Sequence, residues 1–230
     1  PPPPPPHTPP SRPPQTLPGE LARCHRTDTA ERFEKRLARL ASYPAWMAAH
    51  RANAAEGVAD GRTAPAEVIE RCQESPTIFS LVLQLTDPVV ASEYRFSPGQ
   101  CNMLYLVGVG EIPISIVSDP ARPGQLIHTI RNIGRVTHGF SQLRVGDRIG
   151  LRGPYGRGWP LVQLEGQDIM IVTGGLGCAP VVSVLNYIFR RRERYGRLVR
   201  LQGVKHSSDL IWRERYAEWE QQDNTQVLLA

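Results

Sequence analysis

The residues best suited to chemistry sit in one short run. Gly174-Gly175-Leu176-Gly177-Cys178-Ala179-Pro180 follows at once on the apolar stretch Ile169-Met170-Ile171-Val172. Glycines at such a point let the chain turn sharply and let phosphate oxygens approach the backbone. The free N–H groups and the dipole at the start of the next helix then hold a pyrophosphate. A glycine run alone builds an ordinary strand–helix turn as readily; the strand–turn–helix context is what favours a nucleotide site. The run departs from G-x-G-x-x-G, and no Asp or Glu closes the second strand to take a ribose 2′-hydroxyl. Gly203-Val204-Lys205-His206-Ser207-Ser208-Asp209 stands there instead. Lys205, Ser207 and Ser208 suit a 2′-phosphate, which favours NADP over NAD slightly. Capping of the following helix by Ser207 or Ser208 is an equal alternative.

Other reactive side chains are dispersed. Cys24, Cys72, Cys101 and Cys178 include no C-x-x-C pair, so zinc or iron–sulfur ligand spacing is absent from the sequence. Four reduced thiols of a cytoplasmic protein are expected. The six histidines are scattered as well. Arg190, Arg191, Arg192 and Arg194 form a basic run at a predicted helix end, complementing its dipole, and are read as a solvated face. A net charge of +5 and a pI near 9.3 fit arginine-rich surface helices and a site that attracts phosphorylated ligands. No nucleic-acid recognition motif accompanies them.

Three kinds of element must position these residues. Residues 1–20 hold 11 of the 22 prolines, so residues 1–27 are expected to be a disordered or polyproline-like tail. Residues 28–63 are expected to be a helical extension. Asp28 and Glu31 give an N-cap signature, Phe33, Leu37 and Leu40 form a narrow apolar face, and Pro44 breaks the run. Over 64–161 the period changes to two: Phe79, Leu81, Leu83 and Leu85 alternate with Ser80 and Gln84. Further strands are expected over 101–107, 112–117, 125–133 and 147–152. Turn residues punctuate them at Ser97-Pro98-Gly99, Asp119-Pro120, Pro123-Gly124, Val145-Gly146-Asp147 and Gly153-Pro154. This pattern predicts a small antiparallel β-barrel.

Residues 162–230 follow a β-α-β-α-β order, half of a doubly wound parallel sheet. The strand at 169–172 reads as buried on both faces. A helix is expected over about 180–192 with Val181, Val184, Leu185 and Ile188 on one face, then a strand over 198–203, a helix over 209–221 and a strand from 226. No apolar run reaches the length of a membrane span. The N-terminal proline in place of a basic, then apolar, leader argues against a signal peptide, and the missing initiator methionine suggests a processed chain or a fragment.

Five motifs in order give the chain a family resemblance. They are Phe96-Ser97-Pro98-Gly99-Gln100, Gly110-Glu111-Ile112-Pro113-Ile114-Ser115-Ile116, His128-Thr129-Ile130-Arg131, Arg152-Gly153-Pro154-Tyr155-Gly156 and the glycine turn at 174–180. Residues 64–230 resemble the ferredoxin–NADP⁺ reductase superfamily, and most of all the gamma (diaphorase) subunits of soluble NAD(P)-linked nickel–iron hydrogenases. Anaerobic sulfite reductase subunits and dihydroorotate dehydrogenase electron-transfer subunits are similar. The resemblance implies an FAD-binding barrel followed by an NAD(P)-binding domain, here with three of five parallel strands.

The superfamily's Arg-x-Tyr-Ser/Thr flavin motif is replaced by Ile112-Pro113-Ile114-Ser115. Ser115 matches, and the resemblance places it beside the reactive flavin nitrogen as the single side chain with direct influence on the ring. Pro113, Ile114 and Ile116 share that stretch. His128, Thr129, Ile130, Arg131, Gly134, Val136 and Thr137 belong to the second flavin-contacting stretch. Ile112 takes the place of the arginine that neutralises the flavin pyrophosphate, and Arg131 and Arg135 are candidates to compensate. Cys178 falls on the nicotinamide side and is expected to pack, not to attack.

The implied activity is hydride transfer between NAD(P)H and FAD, with single electrons passed to or from iron–sulfur and hydrogenase or sulfite reductase subunits. A [2Fe–2S] centre would need ligands from a missing C-terminal part or from a partner. A non-catalytic assembly module and a stand-alone flavin reductase are the alternative readings.

Overall fold

The computed structural model describes residues 63–122, 124–207 and 210–230. The tail expected over 1–27 and the helical extension expected up to 62 lie outside the described residues. All the described residues fall within one compact unit, Trp46–Ala230.

The first strand, β1 (Ala64–Ser75), has no place in the period-two reading, because only Ala66 and Val68 are buried along its length. Two register shifts, between Val68 and Glu70 and between Gln73 and Ser75, bend it as it pairs with β2 (Ile78–Leu85). Its first residues also pair with β6 (Arg148–Tyr155), so one bent strand joins two parts of the sheet. A short helix unforeseen from the sequence, α1 (Pro88–Glu93), is started by Asp87, whose carboxylate accepts from Val89 N at 2.8 Å and Val90 N at 3.2 Å. β3 (Cys101–Leu106) and β4 (Gly110–Ser115) form a hairpin, β5 (Leu126–Arg131) pairs with β2, and a second unforeseen helix, α2 (Arg135–Ser141), leads into β6.

The strand order is β4-β3-β6-β1-β2-β5, antiparallel throughout. The sheet curls like a barrel, but its outermost strands, β4 and β5, share no ladder. Leu81, Leu83, Leu104, Leu106, Ile149 and Phe140 fill the interior. Ser80, expected on the polar face of β2, is buried as well: its hydroxyl lies 2.9 Å from Thr129 Oγ1 and donates to Glu74 at 2.6 Å.

A 3₁₀ turn, Leu161–Leu164, precedes the second half. β7 (Ile169–Gly174), β8 (Leu198–Gly203) and β9 (Thr225–Leu229) are parallel, in that order. α3 (Ala179–Phe189) and α4 (Arg213–Glu220) connect them. Val181, Val184, Leu185 and Ile188 are buried as expected, and so are Val182 and Ser183. The wider buried surface of α3 arises because the barrel's Val117 joins the same apolar cluster.

The sequence reading of β7 as a strand buried on both faces is overturned. Ile171 is buried, but Met170 is 70% and Val172 63% exposed. Buried packing reaches β7 from one face: Ile171 shares the apolar cluster of α3 and α4, and no such cluster holds its two neighbours.

The arginine run is not simply solvated either. Arg190 reaches the barrel's Asp119 at 2.5 Å. Arg191 stacks on Tyr187, its guanidinium carbon 4.0 Å from the ring centroid. Arg192 donates to the carbonyls of Asp223, Tyr195, Gly196 and Asn224. Arg192 thereby clamps the α3–β8 connection to the start of β9. Among the described residues no helix is long and apolar enough to cross a membrane.

Candidate flavin and nucleotide site

Parallel register sets the nucleotide side of the site. Gly174 stands opposite Gly203 on β7 and β8, so the glycine turn and the segment after Gly203 emerge from the same edge of the sheet, where dinucleotides bind in open α/β sheets. Gly175–Cys178 form one 3₁₀ turn running into α3. Gly175 has φ +50°, a conformation glycine adopts at little cost. Gln202, which is buried and carried no sequence signal, fixes this turn. Its amide donates to Gly175 O at 3.0 Å and Gly203 O at 3.1 Å, and its oxygen accepts from Thr173. Gly174 and Gly177 have open space where a side chain would stand, so the outer surface of the turn is accessible.

The remaining residues of the turn face inward. Cys178 is buried against Ile78 of the barrel and Ile211, with Leu176 packed on the same cluster. Burial pushes its thiol pKa up, which disfavours the nucleophilic thiolate. Ala179 is buried and Pro180 occupies the first turn of α3. Lys205 and Ser207 are exposed. Ser207 does not cap α4: that helix starts at Arg213 with Trp212 at the N-cap in a left-handed conformation, φ 58°. The helix begins later than expected because Ile211 first turns into the core. The Ser207 carbonyl instead accepts from Arg213. Ser208 lies outside the described residues.

On the barrel side, Pro113 is exposed and Ile114 and Ser115 are half-buried at the free edge of β4. Much of the stretch expected to touch a flavin is turned inward. Ile116, His128 and Ile130 have essentially no exposed surface, so their side chains belong to the core. The Thr129 hydroxyl is engaged with Ser80 at 2.9 Å. The Thr137 hydroxyl accepts from Ile133 N and Gly134 N and donates to Gly134 O, closing the start of α2. Val136 and Arg135 approach Gly110 at the beginning of β4, 3.6 and 3.9 Å from where its Cβ would stand.

Arg131 ends β5 beside the glycine turn, with Nη2 3.8 Å from the position of a Cβ on Gly175. Its Nε is buried without a hydrogen-bond partner. A buried donor left unpaired is costly, and an anionic ligand between β5 and the turn would satisfy it.

Two loops that the sequence singled out separately are interlocked. Gln100 Nε2 donates to Gly156 O at 2.6 Å, and Trp159 N donates to Pro98 O at 2.9 Å. Gly99, at φ +87°, lies against the Trp159 ring, where any Cβ would overlap the indole. Gly99 N then donates to Ser183 on α3 at 3.3 Å, docking the loop pair on the nucleotide half. A cavity of about 470 Å³ lies at the opposite end of α3 from the glycine turn, lined in part by Asp119, Arg122, Phe189 and Trp219. It is apart from these residues.

Comparison with known proteins agrees with this arrangement. Residues 171–230 match the oxidoreductase NAD-binding domain family. A ferredoxin NADP⁺ reductase from Neisseria gonorrhoeae, solved with bound FAD and NADP, superposes with TM-score 0.63 at 22% identity, covering 73% of this chain and 68% of that one. The described residues share the fold of that reductase. A second similar structure, the Amycolatopsis cytochrome P450 reductase GcoB, gives TM-score 0.64 at 25% identity over 73% of this chain and 51% of that one.

Among curated relatives, sulfhydrogenase 1 subunit gamma of Pyrococcus furiosus is 40% identical over 131 residues, 57% of this chain and 45% of the relative. A probable dihydroorotate dehydrogenase B (NAD(+)) electron transfer subunit of Methanocella arvoryzae is 31% identical over 156 residues, 67% of this chain and 54% of the relative. The chain spans about half the length of the curated relatives it matches.

Proposed function

We propose that this chain is a member of the ferredoxin–NADP⁺ reductase superfamily, holding FAD along the β4–β5 seam and a nicotinamide dinucleotide at the glycine turn. It would act in the cytoplasm as the electron-transfer subunit of a multi-subunit oxidoreductase, in this reading a nickel–iron hydrogenase. The observation that carries the proposal is Arg131. A barrel strand delivers a guanidinium with an unpaired, buried Nε to the edge of the glycine turn, so the two half-sites meet at a group that demands an anion.

Bound FAD supplies the hydride and single-electron chemistry. The chain's own residues bind and orient. Ser115, with Ile114 and Pro113 beside it, presents the free edge of β4 to the ring. Arg131 and Arg135 meet phosphate charge that Ile112 cannot. Gly174, Gly175 and Gly177 admit the dinucleotide pyrophosphate to the start of α3, and Lys205 and Ser207, with Ser208 next in the sequence, are the residues for a 2′-phosphate. Among the described residues no group of three His, Cys, Asp or Glu gathers as metal ligands, and in this reading a [2Fe–2S] centre takes its ligands from a further C-terminal part or from a partner. The gamma-subunit relatives support the hydrogenase setting, and the dihydroorotate dehydrogenase relatives support electron transfer between subunits in general.

The test is spectroscopic. The full-length polypeptide, purified with its copurifying subunits, is expected to show an oxidised-flavin spectrum that bleaches under anaerobic NADPH or NADH. The Arg131→Leu variant is expected to bind FAD at least about tenfold more weakly, the equivalent of one lost charge-assisted hydrogen bond. A colourless complex would refute the proposal.

A further inference from the structure

The β4–β5 seam is where the barrel lacks a ladder, and one imidazole crosses it. His128 on β5 has no exposed surface, and its Nδ1 lies 3.0 Å from the carbonyl oxygen of Ser115 on β4. A carbonyl only accepts, so Nδ1 carries the proton and Nε2 must accept. Asn102 Nδ2 lies 3.3 Å from Nε2 and is the donor. That orients the Asn102 amide, whose oxygen accepts from the Tyr94 hydroxyl at 2.5 Å. The result is one directed chain, from Tyr94 after α1, through Asn102 on β3 and His128 on β5, to the backbone of Ser115. Gly153 makes room for it, since a Cβ there would overlap Asn102 Oδ1.

The far side of the same peptide is held too. Ile116 N donates to Gln100 O at 3.0 Å, continuing the β3–β4 ladder, so both polar groups of the Ser115–Ile116 peptide are fixed: the N–H by the ladder and the C=O across the seam, where no ladder exists. The nearest backbone tie between the strands is Val117 N to Ile127 O at 2.9 Å. Burial keeps the imidazole neutral, with its pKa pulled down to about 4, so the donor and acceptor assignment holds at neutral pH. An apolar side chain in the same slot would leave a carbonyl and an amide N–H unpaired inside the barrel.

We propose that His128 is a positioning residue of the flavin site, which through the Tyr94–Asn102–His128 chain sets the Ser115 peptide against the bound ring. This rests on the flavin reading above. His128 itself touches no ligand; it acts through Ser115.

The experiment uses the full-length polypeptide loaded with FAD. It measures the FAD dissociation constant, the visible spectrum of the bound flavin and its midpoint potential in wild type, H128F, H128N and Y94F. H128F is expected to weaken FAD binding about tenfold and to shift the spectrum and potential, as befits one lost buried hydrogen bond. H128N retains an N–H at the position of Nδ1 and is expected to recover most of the wild-type values. Y94F removes only the outer donor and is expected to give a smaller shift in the same direction. Should H128F not fold, H128N and Y94F decide. Wild-type affinity, spectrum and potential in folded H128F, or in Y94F if H128F does not fold, would overturn the role of His128 while leaving the flavin reading intact. A wild-type protein that takes up no FAD would remove both.

Discussion

In the barrel, Ser80, Asn102, His128, Thr129 and Thr137 are all buried and each has a hydrogen-bond partner, whereas in the nucleotide half the fully buried Arg200 leaves Nε and Nη1 without one. The two halves differ in cover as well. The barrel's six strands curl around an interior filled by residues such as Leu81, Leu83, Leu104 and Leu106. The three-stranded sheet has its α3 and α4 face packed, while Met170 and Val172 on the other face stand open to solvent. These five barrel groups are satisfied and can specify geometry. In the nucleotide half Ser183 and Gln202 are satisfied too, and the unpaired cost falls on Arg200 there and on Arg131 Nε at the barrel's rim. The comparison predicts that the barrel is the stiffer, less tolerant half, and three measurements can break or sharpen it.

The largest effect is expected from truncating the barrel core. Leu104 has no exposed surface and sits on β3 between β4 and β6. Leu104→Ala is expected to lower the free energy of unfolding by about 2–5 kcal/mol, the range for a buried leucine whose cavity collapses only partly. Val172→Ala, on the open face of β7, is expected to stay within about 0.5 kcal/mol. Urea unfolding followed by tryptophan fluorescence reports both. Comparable losses at the two sites would erase the proposed distinction.

Acid sensitivity should come next. His128 is neutral in the folded chain, with a pKa of about 4 against an ordinary 6.5. Between these values the unfolded chain binds a proton that the folded chain refuses. The stability contributed by the neutral imidazole is therefore complete above pH 6.5 and is lost as the pH falls from there towards 4. The loss totals about 3 kcal/mol at 1.36 kcal/mol per pKa unit. The urea midpoint of the wild type should fall across this window, and that of H128N should lack this part of the fall. A parallel decline in both proteins would mean that other groups govern the acid limb.

What the sequence disclosed and what it concealed divide along the same line. The strands Ile78–Leu85, Cys101–Leu106 and Leu198–Gly203 were legible because their side chains alternate or run apolar, and burial is what that pattern encodes. The glycine turn was legible because glycine marks backbone that other residues reach only under strain. β1 was not, since only Ala66 and Val68 of it are buried and its place is set by pairing on both sides. α1 and α2 are six and seven residues long, too short for a helical period to show. For the candidate site, Ser115 and Arg131 were singled out by likeness to a motif, but the inward turn of His128 and Thr129 depends on partners distant in the chain, Asn102 and Ser80. Gln202 escaped notice for that reason: nothing local marks a glutamine whose amide holds a glycine carbonyl 27 positions away.

The smallest expected effect tests the nucleotide half directly. Arg200 on β8 is enclosed, with its guanidinium carbon 4.6 Å from the Tyr216 ring centroid and 4.8 Å from that of Trp219. Nη2 makes one long hydrogen bond, 3.4 Å, to the Tyr216 hydroxyl. Taking a charge out of water is expensive, and two aromatic faces with a single hydrogen bond return only part of the cost. Methionine fills a similar volume, needs no hydrogen bonds and packs well on aromatic rings. Arg200→Met is therefore expected to raise the free energy of unfolding by about 1 kcal/mol, the lower end of what apolar replacement of buried charges yields. The readout is the urea midpoint at pH 7, at unchanged denaturant slope. A loss of about 3 kcal/mol or more, the size found when a buried charge is uncoupled from a needed partner, would show that the ring contacts outweigh desolvation. The nucleotide half would then be as finished inside as the barrel.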